Sequence, residues 1–569
     1  MGRWSKRAQI TPAAAAACLC MLGGVLMADR VHADADAGPT SAAVATPDAA
    51  AQPSPAAPAA QSRPFPILEY QIEGNTLLSV REVEGAVIPH LREEGTIKDV
   101  EAARAGLEKV YHDAGYKTVI VTIPPQEVVQ GVVRLHVAEA AVGQLHIAGS
   151  RYHSLSGIRE KVPQLAEGSV PQFGEVQKEL ADVNHSADLR VTPVLKASNT
   201  PGKVDVELQV QDSLPVHATL EVDNRYSADT AHTRVTGEVQ YDNLFQSNQS
   251  LSLQYQTAPS EPANAKVESV SYVVPLPDND ALAFYWVHSD SNVAAVGDLS
   301  VIGAGHIYGL RWINSLPTSQ HDFFHSFTAG VDYKDLEQNT EVASGPPVES
   351  PASYTLFTLE YNGTWLGAST QGQRRAATIS GLSSTTIDLS TSFTIRSLGT
   401  SGQEFADKRA GASDSFITLR PSLTREQVLP GAWTLVGRLD GQVASGPLIN
   451  SEQYAAGGAD SVRGYTEAER LGDNGVRASL ELRTPQLFLQ QFKHVDRSFL
   501  LAFVEGARLR VLEPLPGEED LYSLASAGVG LRFKASGLTI NLDGARILKD
   551  GSVTAASRYR GLFQISYTH

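Results

Sequence analysis

The chain has 569 residues, with 46 Lys and Arg against 63 Asp and Glu and a formal net charge of −17. This length exceeds one small domain, and the acidic balance argues against a general nucleic-acid binder. Only 19% of residues are charged, whereas 47 are glycine, which excludes a coiled coil and favours sheet. No apolar run reaches the roughly 20 residues of a membrane-spanning helix, so a membrane β-barrel is the only membrane class left.

The N-terminus has the pattern of a secretory signal peptide, predicted over residues 1–33. A cationic start precedes the apolar stretch from Ala13 to Ala28, and small residues precede a cleavage site after Ala33. Both cysteines, Cys18 and Cys20, lie inside this segment. The mature chain therefore has no cysteine for a disulfide, a thiolate metal site or a nucleophile.

Residues 34–66 are predicted to form a tether. Seven prolines stand there among Ala, Ser, Asp and Gln, a composition that cannot bury enough apolar surface to fold. The alternative is a plug helix that enters a downstream pore, but the prolines would interrupt it at almost every turn.

Two α+β modules are predicted in tandem, over residues 67–139 and 140–212. In the first, Ser79 with Glu82 and Thr96 with Asp99 form capping boxes ahead of two helices. A strand precedes these helices and two strands follow them, the first of which is predicted from Lys117 to Ile123. The second module repeats this order, which indicates a duplicated unit of about 70 residues.

Residues 213–569 alternate in polarity with period two between short turns. Leu538, Ile540 and Leu542, for example, alternate with polar neighbours, and the pattern continues to the C-terminus. At roughly 22 residues per strand and connection, this length predicts about 16 antiparallel strands. Because lipid tolerates no unpaired edge, we predict a closed all-β transmembrane barrel rather than several soluble sandwiches.

Signatures of catalysis are missing from the sequence. It contains no GxSxG, HExxH or GxxxxGK[ST] motif, and its histidines are scattered without metal-ligand spacing. We therefore expect no enzyme activity, no cofactor and no metal.

One long connection, about 444–475, carries the most unusual segment of the barrel. Arg463 lies there between small, turn-forming residues. A carboxylate facing lipid is costly, so Glu505 is predicted to face the lumen, and Phe503 with it by parity. A loop folded back into the barrel would place Arg463 on Glu505 as a charge-assisted latch. The alternative is a surface turn in which both charges face water.

The sequence from about Ile67 onward resembles the two-partner secretion transporters, haemolysin-activating and secretion proteins of the FhaC/ShlB type. In the barrel, the similarity is carried by the family's VRGY loop motif at Val462, Arg463, Gly464 and Tyr465. The motifs similar to its first polypeptide-transport-associated (POTRA) domain include Gly74, Asn75, Gly115, Tyr116, Pro125 and Gln126. The chain departs from the family's FxDxG wall motif, since it has Glu505 for the acid and Ala507 for the last glycine.

The resemblance implies that both modules are POTRA domains in the periplasm and that the barrel lies in the bacterial outer membrane. It implies that the POTRA domains capture an unfolded, TpsA-like haemolysin or adhesin, which the barrel secretes without ATP, and that Arg463 anchors the loop to Glu505. A monomer that contacts outer-membrane lipid and no nucleic acid is expected. The alternative function is an outer-membrane assembly factor of the same superfamily. A passive porin and a soluble periplasmic binding module are less favoured.

Overall fold

The computed structural model describes residues 64–569 except 185, 229, 263–264, 291–292, 297–298, 303, 319, 321, 338, 341–347, 350, 368–382, 397, 399–401 and 488–494. The predicted signal peptide and nearly all of the predicted tether lie outside these residues. The described chain forms two compact units, one ending at Leu214 and the other beginning at Pro215.

The first module folds around two helices that pack on a three-stranded sheet. Its elements are β1 (Phe65–Ile67), β2 (Glu69–Glu73), α1 (Val80–Val87), β3 (Arg92–Gly95), α2 (Ile97–Asp113), β4 (Ile120–Thr122) and β5 (Val132–Ala138). The sheet order is β2-β5-β4, with β2 parallel to β5, and β1 pairs with β3. Both predicted capping boxes are present, and α2 buries Val100, Leu107 and Tyr111 along one face.

Two predicted boundaries in this module are wrong. The tether was predicted to reach Pro66, but Phe65 and Pro66 belong to β1, whose pairing with β3 outweighs the local proline. The strand predicted from Lys117 begins only at Ile120. The residues before it form the turn that ends α2, where the Tyr116 N–H donates to the Tyr111 carbonyl at 2.9 Å.

The second module repeats the arrangement of the first. It contains β6 (Ala141–Ala148), α3 (Leu155–Glu160), α4 (Phe173–Val183), β7 (Leu189–Ala197) and β8 (Lys203–Asp212). Its sheet order is β6-β8-β7, again with the first strand parallel to the last. Each module has its own apolar core, built in the second around Ile158, Val176 and Leu208. The fold confirms the predicted pair of α+β modules.

Sixteen antiparallel strands close into a barrel, as predicted from length and alternation. They are β9 (Val216–Asp223), β10 (Arg234–Leu244), β11 (Gln249–Thr257), β12 (Val267–Pro275), β13 (Ala281–Ser289), β16 (Ala304–Ser315), β17 (Phe323–Glu337), β20 (Ala352–Leu366), β21 (Ser384–Thr394), β22 (Ile417–Val428), β23 (Thr434–Ala444), β26 (Asn474–Arg483), β27 (Val495–Arg510), β28 (Leu521–Ala535), β29 (Leu538–Ile547) and β30 (Tyr559–Thr568). The last strand, β30, pairs with the first, β9, from Gln564↔Asp223 to Thr568↔Thr219.

Burial alternates along the barrel strands as a two-sided wall requires. On β27, Phe503 and Glu505 are buried, whereas Leu500 and Val504 are about half exposed. The outer surface is therefore apolar, whereas charged side chains such as Glu505 face the lumen together with apolar ones such as Phe503. Within the described residues, no helix is both long and apolar enough to cross a membrane.

The connections at one end of the barrel carry further short elements. These are β14 (Val293–Val296), β15 (Leu299–Ile302), β18 (Asn339–Thr340), β19 (Val348–Glu349), α5 (Gly402–Lys408), β24 (Tyr454–Ala456) and β25 (Arg470–Gly472). We call this the loop end of the barrel. The helix α5 was not predicted.

Candidate functional site

The connection between β23 and β26, residues 445–473, folds back into the lumen. The hairpin of β24 and β25 forms its base, and its central residues Val462 and Tyr465 are fully buried. They pack with Leu509, Leu524 and Ile547, which face inward from the wall. We refer to residues 445–473 as the re-entrant loop.

Arg463 projects from this loop onto the inner wall. Its Nη2 lies 2.7 Å and its Nε 3.1 Å from Glu505 Oε1, and its backbone N–H donates to Glu505 Oε2 at 2.8 Å. The guanidinium also covers the Phe503 ring, 3.6 Å from the ring centroid. Since both charged side chains are about 5% exposed, each depends on the other to offset its lost hydration. The contact joins the two residues that the sequence singled out.

Two further carboxylates contact Arg463 that sequence analysis did not assign to it. Glu481 Oε2 on β26 lies 3.0 Å from Nη2, and Asp543 Oδ1 on β29 lies 3.3 Å from Nη1. Arg483 and Arg532 in turn bind these two carboxylates. Glu481 and Asp543 are therefore each shared between Arg463 and a second arginine.

Two further residues of the motif, Gly464 and Tyr465, position Arg463. Gly464 has φ of +101°, a left-handed conformation that L side chains rarely adopt. A Cβ at Gly464 would lie 3.0 Å from Ala545 Cβ, so the backbone presses directly on β29. Tyr465 donates its hydroxyl to the Lys549 carbonyl at 2.6 Å, which fixes the loop beyond the arginine.

Glu469 holds the far limb of the loop against the connection between β29 and β30. Its carboxylate accepts hydrogen bonds from the backbone N–H groups of Val553 and Thr554 at 2.8 and 2.9 Å and from the Thr466 hydroxyl. Burial by itself raises the pKa of Glu469, but these donors outweigh it and lower the pKa to about 2. These hydrogen bonds therefore favour the ionised form of Glu469.

Four of the predicted POTRA residues lie in two connections of the first module. Asn75 binds the backbone of Leu78 in the turn before α1 and accepts from the Tyr111 hydroxyl, and Gly74 precedes it in the same turn. Gln126 forms two 2.7 Å hydrogen bonds with the backbone of Arg134, in the loop that also contains Pro125.

Gly115 and Tyr116 lie where the first module meets the second. Gln172 Nε2 donates to the Ala114 carbonyl at 3.1 Å, and the Phe173 N–H donates to the Gly115 carbonyl at 3.0 Å. Tyr116 packs on the core of the first module. These hydrogen bonds fix the start of α4 against the end of α2.

Comparison with known sequences identifies the family. The sequence model of the haemolysin secretion/activation protein ShlB/FhaC/HecB matches residues 202–533, and that of the ShlB-type POTRA domain matches residues 65–140. The chain belongs to the ShlB/FhaC/HecB family. This family consists of outer-membrane β-barrel transporters and secretion pores of the two-partner secretion class.

Individual relatives share this architecture at low identity. The heme/hemopexin transporter protein HuxB of Haemophilus influenzae strain 86-028NP is 21% identical over 518 residues, which cover 88% of this chain and 86% of HuxB. CdiB from Escherichia coli superposes with a TM-score of 0.60 at 16% identity, covering 91% of this chain and 93% of CdiB. BamA from Haemophilus ducreyi lacking POTRA domains 1–3 gives 0.53 at 14% identity, with 89% and 100% covered.

Proposed function

We propose that this ShlB/FhaC/HecB family protein secretes one cognate exoprotein across the bacterial outer membrane. In this proposal the POTRA domains lie in the periplasm and bind the unfolded exoprotein, the barrel conducts it outward, and the Arg463–Glu505 pair is the latch that keeps the re-entrant loop in the lumen. The protein acts as a monomer without ATP, cofactor or catalysis. The main support is the combination of family membership with a closed barrel whose lumen holds this loop.

The module sheets support recognition of an extended chain. Among the residues that the structure describes, β2 pairs within its sheet only with β5 and β6 only with β8, so both strands lie at sheet edges. An edge strand offers backbone hydrogen bonds to any extended segment, while adjacent side chains select the sequence. An exoprotein that arrives unfolded presents such a segment without prior unfolding.

Gene deletion with quantitative proteomics of culture medium and outer membrane tests the proposal. We expect one large exoprotein to disappear from the medium, to return on complementation, and the outer-membrane proteins to stay unchanged. A broad loss of outer-membrane proteins would instead favour an assembly factor. If neither fraction changes under conditions in which the gene is expressed, secretion is not its function.

A further inference from the structure

A second buried charge pair lies at the root of the re-entrant loop, away from Arg463. Asp473, the residue before β26, is fully buried. Its carboxylate accepts from the backbone N–H of Leu448 at 2.8 Å, from that of Leu512 at 2.6 Å and from Gln453 Nε2 at 3.2 Å. Asp473, at the end of the re-entrant loop, thus binds the first residues of the same loop and the neighbouring connection, residues 511–520.

Arg409 supplies the opposite charge from a third connection, just after α5. Its Nη2 lies 2.8 Å from Asp473 Oδ2 and donates to the Leu512 carbonyl at 2.7 Å, while Nη1 donates to the Leu448 carbonyl at 2.6 Å and also binds Asp473. One planar guanidinium therefore joins three connections at once. A lysine could replace the charge but not this fork of donors.

Apolar packing continues from this pair across the lumen. Phe405 of α5 is 1% exposed and packs with Phe416, Leu448 and Ile449, which lie in the connections. Its ring meets that of Tyr354 on the wall strand β20 edge-on, with the ring centroids 5.3 Å apart. We define the cap as residues 402–416 of this connection together with residues 445–453 of the re-entrant loop.

The cap is also fixed to the wall opposite the Arg463 site. Glu452, in the cap, is fully buried and accepts from Lys334 Nζ on β17 at 2.6 Å and from the Tyr354 hydroxyl on β20 at 2.5 Å. The central residues of the loop bind β26, β27 and β29 instead. The cap therefore contacts one side of the lumen and the loop centre contacts the other. Together they form one continuous layer at the loop end.

We infer that the cap is a second closure of the lumen and that Arg409 is the positioning residue that makes it move as one body with the re-entrant loop. Removal of Arg409 leaves Asp473 buried without its counter-charge, which strongly destabilises the closed arrangement. The claim that the cap blocks passage of an exoprotein rests on the proposed secretion function. The claim that the cap blocks ions does not rest on that function, because ion conductance can be measured without an exoprotein.

Ion conductance of the purified full-length protein in planar bilayers tests the inference. We expect Arg409→Ala to raise the open-channel occupancy at least about tenfold, since a destabilised closed state loses population to the open one. Arg396→Ala is the matched control, because Arg396 lies in the same connection, is 72% exposed and reaches Asp414 only at 3.6 Å. We expect it to conduct like the wild type, and Arg409→Lys to recover part of the closure.

Two outcomes would overturn the inference. One is an Arg409→Ala barrel, intact by heat-modifiable migration, that stays as closed as the wild type. The other is conductance that rises only when Arg463→Ala is added, because this would show two independent gates. If Arg409→Ala does not assemble, Asp473→Asn tests the same pair with an isosteric side chain. A failed secretion assay with a positive conductance result would refute the proposed function alone.

Discussion

Arg463 is held by carboxylates from three different strands, so no single substitution on the wall removes every counter-charge. Glu505 nevertheless differs from Glu481 and Asp543, because it also accepts the backbone N–H of Arg463. It therefore fixes the position of the loop backbone as well as the side chain. Phe503, on the same strand as Glu505, adds a cation–π contact to Arg463.

Glu505→Gln keeps the size of this side chain and removes its charge. Charge-assisted hydrogen bonds are worth about 1.5–3 kcal/mol, so we expect about a tenfold or larger rise in loop release, with less exoprotein in the medium. Maleimide labelling of a single cysteine at Ser461 on intact cells measures the release, since both native cysteines lie in the predicted signal peptide.

Two variants control this experiment. Glu518→Gln changes an exposed carboxylate in the 511–520 connection and should label like the wild type, whereas Glu505→Asp keeps the charge and should lie between them. Equal labelling of the Glu505→Gln and Glu518→Gln variants would contradict the role proposed for Glu505.

At this scale, alternation along one strand is enough to predict that Glu505 and Phe503 face inward. It cannot assign Glu481 or Asp543 to Arg463, because those contacts depend on the stagger between β26, β27 and β29. That stagger is set by closure of the whole barrel. The Arg409–Asp473 pair cannot be predicted for the same reason, since the two residues lie in different connections and are 64 positions apart in the sequence.

Among the elements, the joint between the two modules depends on one backbone conformation. Gly115 has φ of +98°, and a Cβ there would lie 2.5 Å from Gln172 Nε2. Gln172 is also the N-cap of α4, where its Oε1 accepts from the Glu175 N–H at 2.6 Å. Any shift of Gln172 therefore affects the joint and the start of the helix together.

Gly115→Ala should destabilise the tandem modules by about 1–3 kcal/mol, from backbone strain and the clash with Gln172. Gly85→Ala, inside α1 where a Cβ meets no atom within 4 Å, should stabilise them by about 0.5–1 kcal/mol through helix propensity. Urea unfolding of the piece 64–214 measures both. A Gly115→Ala variant at least as stable as Gly85→Ala would show that the joint tolerates a side chain.

Elements with strong local signals were predictable, and those formed by packing were not. The capping boxes at Ser79 and Thr96 predict α1 and α2, and the alternation of polar and apolar residues predicts the wall strands. The helix α5 has seven residues, too few to be stable by itself. It forms because Phe405 packs into an apolar cluster built from distant strands. The local sequence contains no pattern that predicts this contact.

The molecule as a whole depends on a barrel wall that is apolar on the outside. Val529 on β28 and Val553 in the connection after β29 are both 64% exposed, but only Val529 lies on the outer wall. The two valines are therefore equally exposed, but only Val529 is expected to contact lipid.

Val529→Arg should impair barrel assembly, because an arginine on the lipid face costs about 2–4 kcal/mol at the bilayer midplane. Val553→Arg should assemble normally, since it adds the same charge outside the wall. Heat-modifiable migration of outer-membrane fractions measures assembly. Equal assembly of the two variants would mean that the outer face of β28 does not contact lipid.

The sequence positions of the residues that bind the re-entrant loop also determine when, during barrel assembly, the loop contacts can form. Glu505, Asp543 and Lys549 follow the loop residues that bind them by 42, 80 and 84 positions. A nascent cylinder that still lacks β29 and the connection after it already contains Glu505 but not Asp543 or Lys549. The complete set of loop contacts therefore forms only when the last hairpin arrives.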